Sequence, residues 1–383
     1  MRRGIRSRAY AFMSAWIVSA AATAGWSQSL TWLGTLYDET SIAYGVSANG
    51  VAVVGFSDNS AFRWTTDTGM QDLGTLGGLS YAYGVSANGS VVIGVSGSRA
   101  FRWTQAGGMQ DLGALGGTAS EAYGVSADGG VVVGQALNAS NQWRAFRWQN
   151  GVMQDLGVLN DNCCSAAYGI SADGMAVVGG TYHTFGQDRA RAFRWTADDG
   201  MQNLGALYFG PSAAYGVSAD GTVVVGMSDG RAFRWTQATG MQDLGSGVAH
   251  GISADGAVVV GESDSFAFRW TSGGGLEDLN ATYASLLTDG SQLFAAHATS
   301  ADGRYIVGWG FNAITWRIEA YLLDTGTSPQ EGDVNGDGCV DDADLLAVLF
   351  VFGNSGGAED LNNDGIVDDA DLLVVLFNFG GGC

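Results

Sequence analysis

The sequence predicts a mainly β protein: a seven-bladed β-propeller of four-stranded blades, with a small α-helical module at its C-terminus. Three observations predict it. One phrase recurs seven times at spacings of 35 to 47 residues. Each copy holds short β-prone runs separated by turn signals. After residue 332 this pattern stops, and two matching acidic stretches appear, each followed by an apolar run of helical length.

Composition fits this reading. Gly is abundant (61 residues) and Pro scarce (2), as expected for many tight turns between short strands rather than for a disordered chain. The formal charge is −21, and every basic residue is Arg. No basic patch stands against phosphate, so nucleic acid and anionic membranes are excluded as expected partners. In chain order, residues 1–26 read as a signal peptide: Arg2, Arg3, Arg6 and Arg8 precede an apolar stretch, and Ala22-Thr23-Ala24 offers a small-x-small cleavage site. Loss of those four Arg takes the charge from −21 to −25. The expected location is extracellular or cell-surface, with no membrane span after cleavage.

Residues 27–324 carry the repeat. The unit reads AYGVSADGxVVVG, a variable stretch, AFRWT, a short turn, then GMQDLG, with heads at Ala43, Ala82, Ala122, Ala167, Ala214, Ala249 and Ala296. AYGVS, VVVG, AFRWT and MQDLG are the four runs. SADG or SANG places Asp or Asn before Gly, the pairing that accepts positive φ. The seventh unit has AHATS, RYIVG and AITWR but no MQDLG, whereas LTWLGTL (30–36) is a fourth run with no head before it. The N-terminal strand is therefore expected to close the ring by completing the blade headed at 296–317. The alternative is that 321–326 supplies that strand. These units resemble the HAF-type extracellular repeat of secreted bacterial proteins over about residues 30–320. The resemblance implies an extracellular propeller-like array and no established reaction. Departures are Ile314 and Thr315 where Phe and Arg usually stand, and His250 and His297 in place of Tyr.

Residues copied in every blade are expected to serve packing. Trp64, Trp103, Trp148, Trp195, Trp235, Trp270 and Trp316 form one such set. By strand alternation, Arg63, Arg102, Arg147, Arg194, Arg234 and Arg269 face the other way. They are expected to pair with the acids of the fourth run: Asp72, Asp111, Asp155, Asp243 and Asp278. His250 and His297 inherit a structural slot, and His183 stands alone in a loop. No nucleophile elbow, zinc spacing or phosphate loop is found, so no catalytic residue is assigned.

Loop length points to a binding face. Turns between first and second runs, and between third and fourth, keep their length. Nearly all insertions fall in the other connections (137–144, 160–166, 181–191, 208–213, 280–294), which exit on the opposite face. Trp143, Tyr182, Phe185, Tyr208 and Phe209 are the candidate ligand-face residues, suited to sugar stacking or to a protein partner. Packing of these rings on their own loops is the competing reading. Cys163, Cys164, Cys339 and Cys383 are candidate disulfide partners, with connectivity open.

Residues 325–332 read as a linker and 333–383 as a separate module. DVNGDGCVDDAD and DLNNDGIVDDAD are two twelve-residue loops offset by 27. Asp333, Asn335, Asp337, the Cys339 carbonyl, Asp341 and Asp344 occupy ligand positions of the first. Asp360, Asn362, Asp364, the Ile366 carbonyl, Asp368 and Asp371 occupy those of the second. This spacing gathers hard oxygens around a point and predicts two calcium ions. Two such loops, each followed by a helix, resemble a type I dockerin over about 332–380. That implies docking to a cohesin-like protein and association with an extracellular polysaccharide-degrading assembly. Positions 10 and 11, where dockerins show recognition side chains, hold Asp342-Ala343 and Asp369-Ala370, a departure from the hydroxyl pair of that family. The expected function is non-catalytic binding or display at the cell surface. The alternatives are a polysaccharide-degrading enzyme (a glycoside hydrolase or lyase) and a purely structural surface component.

Overall fold

The computed structural model describes residues 28–159, 162–182, 190–264, 266–326, 332, 334, 340–354, 359–362 and 366–380. The signal-peptide reading falls on residues outside these. Seven antiparallel sheets of four strands form a ring, each sheet in simple up-and-down order. First strands of successive blades contact one another all the way round, so they line the central channel and the fourth strands form the rim.

Ring closure is as expected. Strand Ser29–Trp32 pairs antiparallel with Arg317–Asp324 and completes the sheet of blade seven. The third strand of that blade differs from the expectation. AITWR is not a strand: Ala313–Trp316 form the turn before it, and Trp316 is 81% exposed at φ 60°. The strand is RIEAYLLD, and Tyr321 sits opposite Gly308 as Phe62 sits opposite Gly55. AYLLD thus takes the place of AFRWT. The segment 321–326 is not the fourth strand either. Of the other six Trp of the set, Trp64, Trp103, Trp195 and Trp235 are buried and Trp148 and Trp270 half-buried, each against its blade's core.

The repeat letters have local causes. Every first strand carries a β-bulge at the residue after its head Ala: Ala43 opposes Gly55 and Gly45 opposes Val54, which leaves Tyr44 as the extra residue. Bulges re-aim side chains, and all seven blades share this one. The Gly ending VVVG follows from it. A Cβ on Gly134 would collide with the Glu121 carbonyl, and Gly55, Gly94, Gly179, Gly226, Gly261 and Gly308 meet the equivalent carbonyl. The turns after the first strands are joined by seven backbone hydrogen bonds of 2.8–3.1 Å, running from Ala48 N–H to Ala87 C=O and on through Ala127, Ala172, Ala219, Ala254 and Ala301 back to Ala48. This closed hoop girdles one end of the channel.

The recurrent Arg do not pair with the fourth-run acids. Arg63 Nε donates to Gly89 O (3.0 Å), and Arg102, Arg147, Arg194 and Arg234 reach Gly129, Gly174, Gly221 and Gly256 in the same way. Each ties its blade to the turn of the next one. The acids instead accept an N–H two residues on, as Asp72 does from Gly74 and Asp243 from Gly245. They also face the start of the third strand, where Arg231 Nε lies 2.5 Å from Asp243. The assignment to structure holds; the partners are different.

The C-terminal module has a core of its own, Val340, Val348, Val367 and Val375, under helices Asp342–Phe350 and Asp369–Asn378. Each helix begins with a capping box, Asp341 with Asp344 and Asp368 with Asp371, worth about 1 kcal/mol at each N-cap. The halves exchange matching links: Gly353 N–H to Val367 O and Gly380 N–H to Val340 O, both 2.8 Å.

Candidate functional site at the channel mouth

The bulges aim one side chain per blade at the axis. Tyr44, Tyr83, Tyr123, Tyr168, Tyr215, His250 and His297 form a closed wheel, with neighbouring ring centroids 5.1–5.8 Å apart. Offset, tilted and edge contacts of this kind suit aromatic quadrupoles. Burial pushes the phenols of Tyr83, Tyr123 and Tyr168 well above their ordinary value. The wheel is a ring-lined floor across the channel.

Above the wheel, toward the elaborated face, lies the residue after each VVVG: Phe56, Val95, Gln135, Gly180, Met227, Glu262 and Trp309. Each pairs across the sheet with the residue before the head Ala or at its bulge. Two polar groups result. In blade three, Tyr123 donates to Glu121, Gln135 Nε2 donates to Glu121 (2.9 Å), and Tyr182 of blade four donates to Gln135 Oε1 (3.4 Å). Burial, then the sulfurs of Cys164 and Cys163, push Tyr182 up to about 12.

In blades six and seven, His250, Glu262 and His297 meet, with one ligand atom of each within 4.8 Å of the others. His250 Nε2 is 3.5 Å from Glu262 Oε1, and His297 Nδ1 is 2.8 Å from the Ala43 carbonyl. Burial first, and His250 second, hold His297 down to about 4. The contact with His250, outweighing burial, holds Glu262 below the usual carboxylate value. A cavity of about 510 Å³ opens beside Glu262, lined also by Val248, Asp264, Phe294 and Trp309. A larger space of about 790 Å³ lies between blades four and five, but Arg194 and Trp235, which recur in the repeat, help to line it.

Among the described residues, the expected ligand-face rings fall at different places. Tyr182 joins the blade-three polar group. Trp143 is half-buried at the start of its strand, opposite Leu137. Tyr208 and Phe209 lie at the rim, where Tyr208 donates to Asp243 (3.4 Å) and Phe209 is 99% exposed. Phe185 lies outside the described residues. The 280–294 insertion packs into the core shared by blades six and seven, burying Tyr283 and Leu293. The Cys163 and Cys164 sulfurs are 2.7 Å apart; Cys339 and Cys383 lie outside the described residues. Sequence reasoning missed Glu262 and the blade-three group. The signal was there, in the variable letter after VVVG.

In the module, the position-12 carboxylates are fully buried. Asp344 accepts from Val334 N (2.7 Å) and Asp341 N (2.9 Å). Asp371 accepts from Leu361 N, Asn362 N and Asp368 N. Burial pushes Asp371 up, but these amides outweigh it and hold it below its ordinary value. Asp341, Asp360, Asn362, Ile366 and Asp368 are also described; Asp333, Asn335, Asp337, Cys339 and Asp364 are not.

No family model matches the chain, and no curated protein matches it. Solved structures do. An oligogalacturonate lyase from Vibrio parahaemolyticus is 11% identical, with a TM-score of 0.50 over 77% of this chain and 93% of the other. A putative TolB from Agrobacterium tumefaciens is 14% identical, with a TM-score of 0.41 over 75% and 89%. TolB from Acinetobacter baumannii is 12% identical, with a TM-score of 0.41 over 74% and 63%. The lyase likeness shows the fold: this chain is a seven-bladed β-propeller.

Proposed function

We propose that this is an exported, calcium-binding protein with a non-catalytic binding or display propeller, attached to its site of action through the C-terminal module. One observation carries the reading: two buried carboxylates, Asp344 and Asp371, at the last ligand position of two sequence-matched loops, in halves that exchange matching backbone links. Backbone amides anchor each carboxylate, and the further oxygen donors spaced along both loops are what suit calcium. The loop residues that fit calcium are Asp333, Asn335, Asp337, the Cys339 carbonyl, Asp341 and Asp344, and then Asp360, Asn362, Asp364, the Ile366 carbonyl, Asp368 and Asp371. Calcium would supply a charge centre that ties each loop to its helix.

The docking partner is a cohesin-like surface protein. Both helices leave matching apolar faces exposed, Leu346, Leu349 and Phe350 on one and Leu373, Leu376 and Phe377 on the other, and a partner surface would cover them. Phe209 and Tyr208 suit stacking against a polysaccharide at the rim. The test is calorimetric titration of calcium into the full chain, with Asp344→Ala and Asp371→Ala beside it. Two ions for the parent and one for each variant are expected. No binding by the parent, or binding unchanged in both variants, would overturn the calcium reading and with it the docking role.

A further inference from the structure

We propose a second metal site, chemically unlike the calcium loops: a divalent transition-metal centre, zinc by preference, held by His250, His297 and Glu262 beneath the channel mouth. Two imidazoles and one carboxylate are the donor types zinc takes, and three protein ligands leave a fourth position open. One ligand atom from each lies within 4.8 Å of the others.

The donors are prepared for a metal. A carbonyl oxygen only accepts, so the contact with Ala43 O places the proton of His297 on Nδ1 and leaves Nε2 its lone pair. His250 Nε2 is buried and has no hydrogen bond of good geometry; its neighbour is Glu262 Oε1 at 3.5 Å. At 3.5 Å that contact is longer than a good hydrogen bond, and a cation between the three groups would engage all three donors at once. The site also breaks the repeat in the right place. Tyr fills the wheel position in blades one to five, and only blades six and seven replace it with His. Glu262 lines the cavity of about 510 Å³ as well, so the open position adjoins space for a small oxygen-bearing ligand. This inference does not depend on the calcium reading.

The test uses zinc itself. The full chain, with calcium in excess to fill the acidic loops, is titrated with Zn²⁺. Cobalt substitution provides an absorption readout of the coordination. Glu262→Gln and the two wheel restorations, His250→Tyr and His297→Tyr, are compared with the parent. One zinc per chain is expected, weakened in every variant by more than the ~10–100-fold typical of changes outside the ligand set. Circular dichroism should show the propeller intact, because Tyr occupies this slot five times over. Absence of binding, or binding unchanged in all three variants, would overturn the proposal and assign any zinc to the cysteines or surface acids. If the variants do not fold, a zinc-soaked crystal of the parent decides: an anomalous peak among the three side chains supports the site, and its absence there refutes it.

Discussion

Closure of the ring by the N-terminal strand makes a quantitative demand on one side chain. Leu33 follows that strand, donates its N–H to Ala320 O at 2.9 Å, and is 7% exposed among Phe62, Trp64, Ala320 and Leu322 of blades one and seven. Leu73 is its counterpart within the repeat: N–H to Ala61 O at 3.0 Å, and again 7% exposed. Leu33→Ala removes about three carbons, or ~2.4 kcal/mol at ~0.8 each. A residual cavity brings the cost to ~3 kcal/mol, about 100-fold in the folding constant. Equilibrium urea unfolding followed by Trp fluorescence measures it. Leu73→Ala should cost a similar amount, and Val152→Ala, at an exposed position of blade three, no more than ~0.5 kcal/mol. If Leu33→Ala matched the parent while Leu73→Ala lost ~3 kcal/mol, the closing strand would be an ornament and the reasoning would fail.

Two further predictions concern the ring's internal constraints. Gly134→Ala drives a Cβ into the Glu121 carbonyl at the bulge and should cost upwards of ~3 kcal/mol, read as a lowered Tm or as insoluble expression; an unchanged Tm would remove the steric account of VVVG. Asp324 accepts from Arg304 Nε and Nη2, both at 2.7 Å; burial pushes the carboxyl up, but these bonds outweigh it and hold its folded pKa below the ordinary value. Its contribution is therefore present above the unfolded value of ~3.9 and lost as pH falls through the depressed folded value. Asp324→Asn should flatten that acid limb of the stability curve and cost on the order of 3 kcal/mol at neutral pH, where Arg304 loses its charge partner. A limb of unchanged slope would place the acid sensitivity elsewhere.

Architecture was legible because a propeller writes its packing rules seven times. Ring closure could be read from a missing run, since one fourth strand lacked a head and one head lacked a fourth strand. The third strand of blade seven was misread because AITWR imitates AFRWT in its letters. AYLLD imitates it only in what packing requires, an Ala, a buried aromatic two residues from a buried apolar side chain, and no Arg. Strand alternation separated the repeat Arg from the Trp correctly. It could not name the partner, because Arg63 reaches Gly89 only through the stagger between neighbouring blades.

The His–Glu group was hidden by the same logic that exposed the fold. A position filled by Tyr in five blades reads as packing, and a His there reads as a tolerated variant. Two facts change that, and both are three-dimensional. The bulge turns this position into the channel, and the residue after VVVG shares that face with it. Glu262 is the one acid among the seven residues following VVVG, and it belongs to the blade of one His and adjoins the blade of the other. In a repeat protein the recurring letters answer to packing that every blade must satisfy. A departure that leaves packing intact but adds lone pairs answers to something else. Where two such departures and the only acid among the residues after VVVG converge on one point of the channel, a ligand is a better account of them than drift.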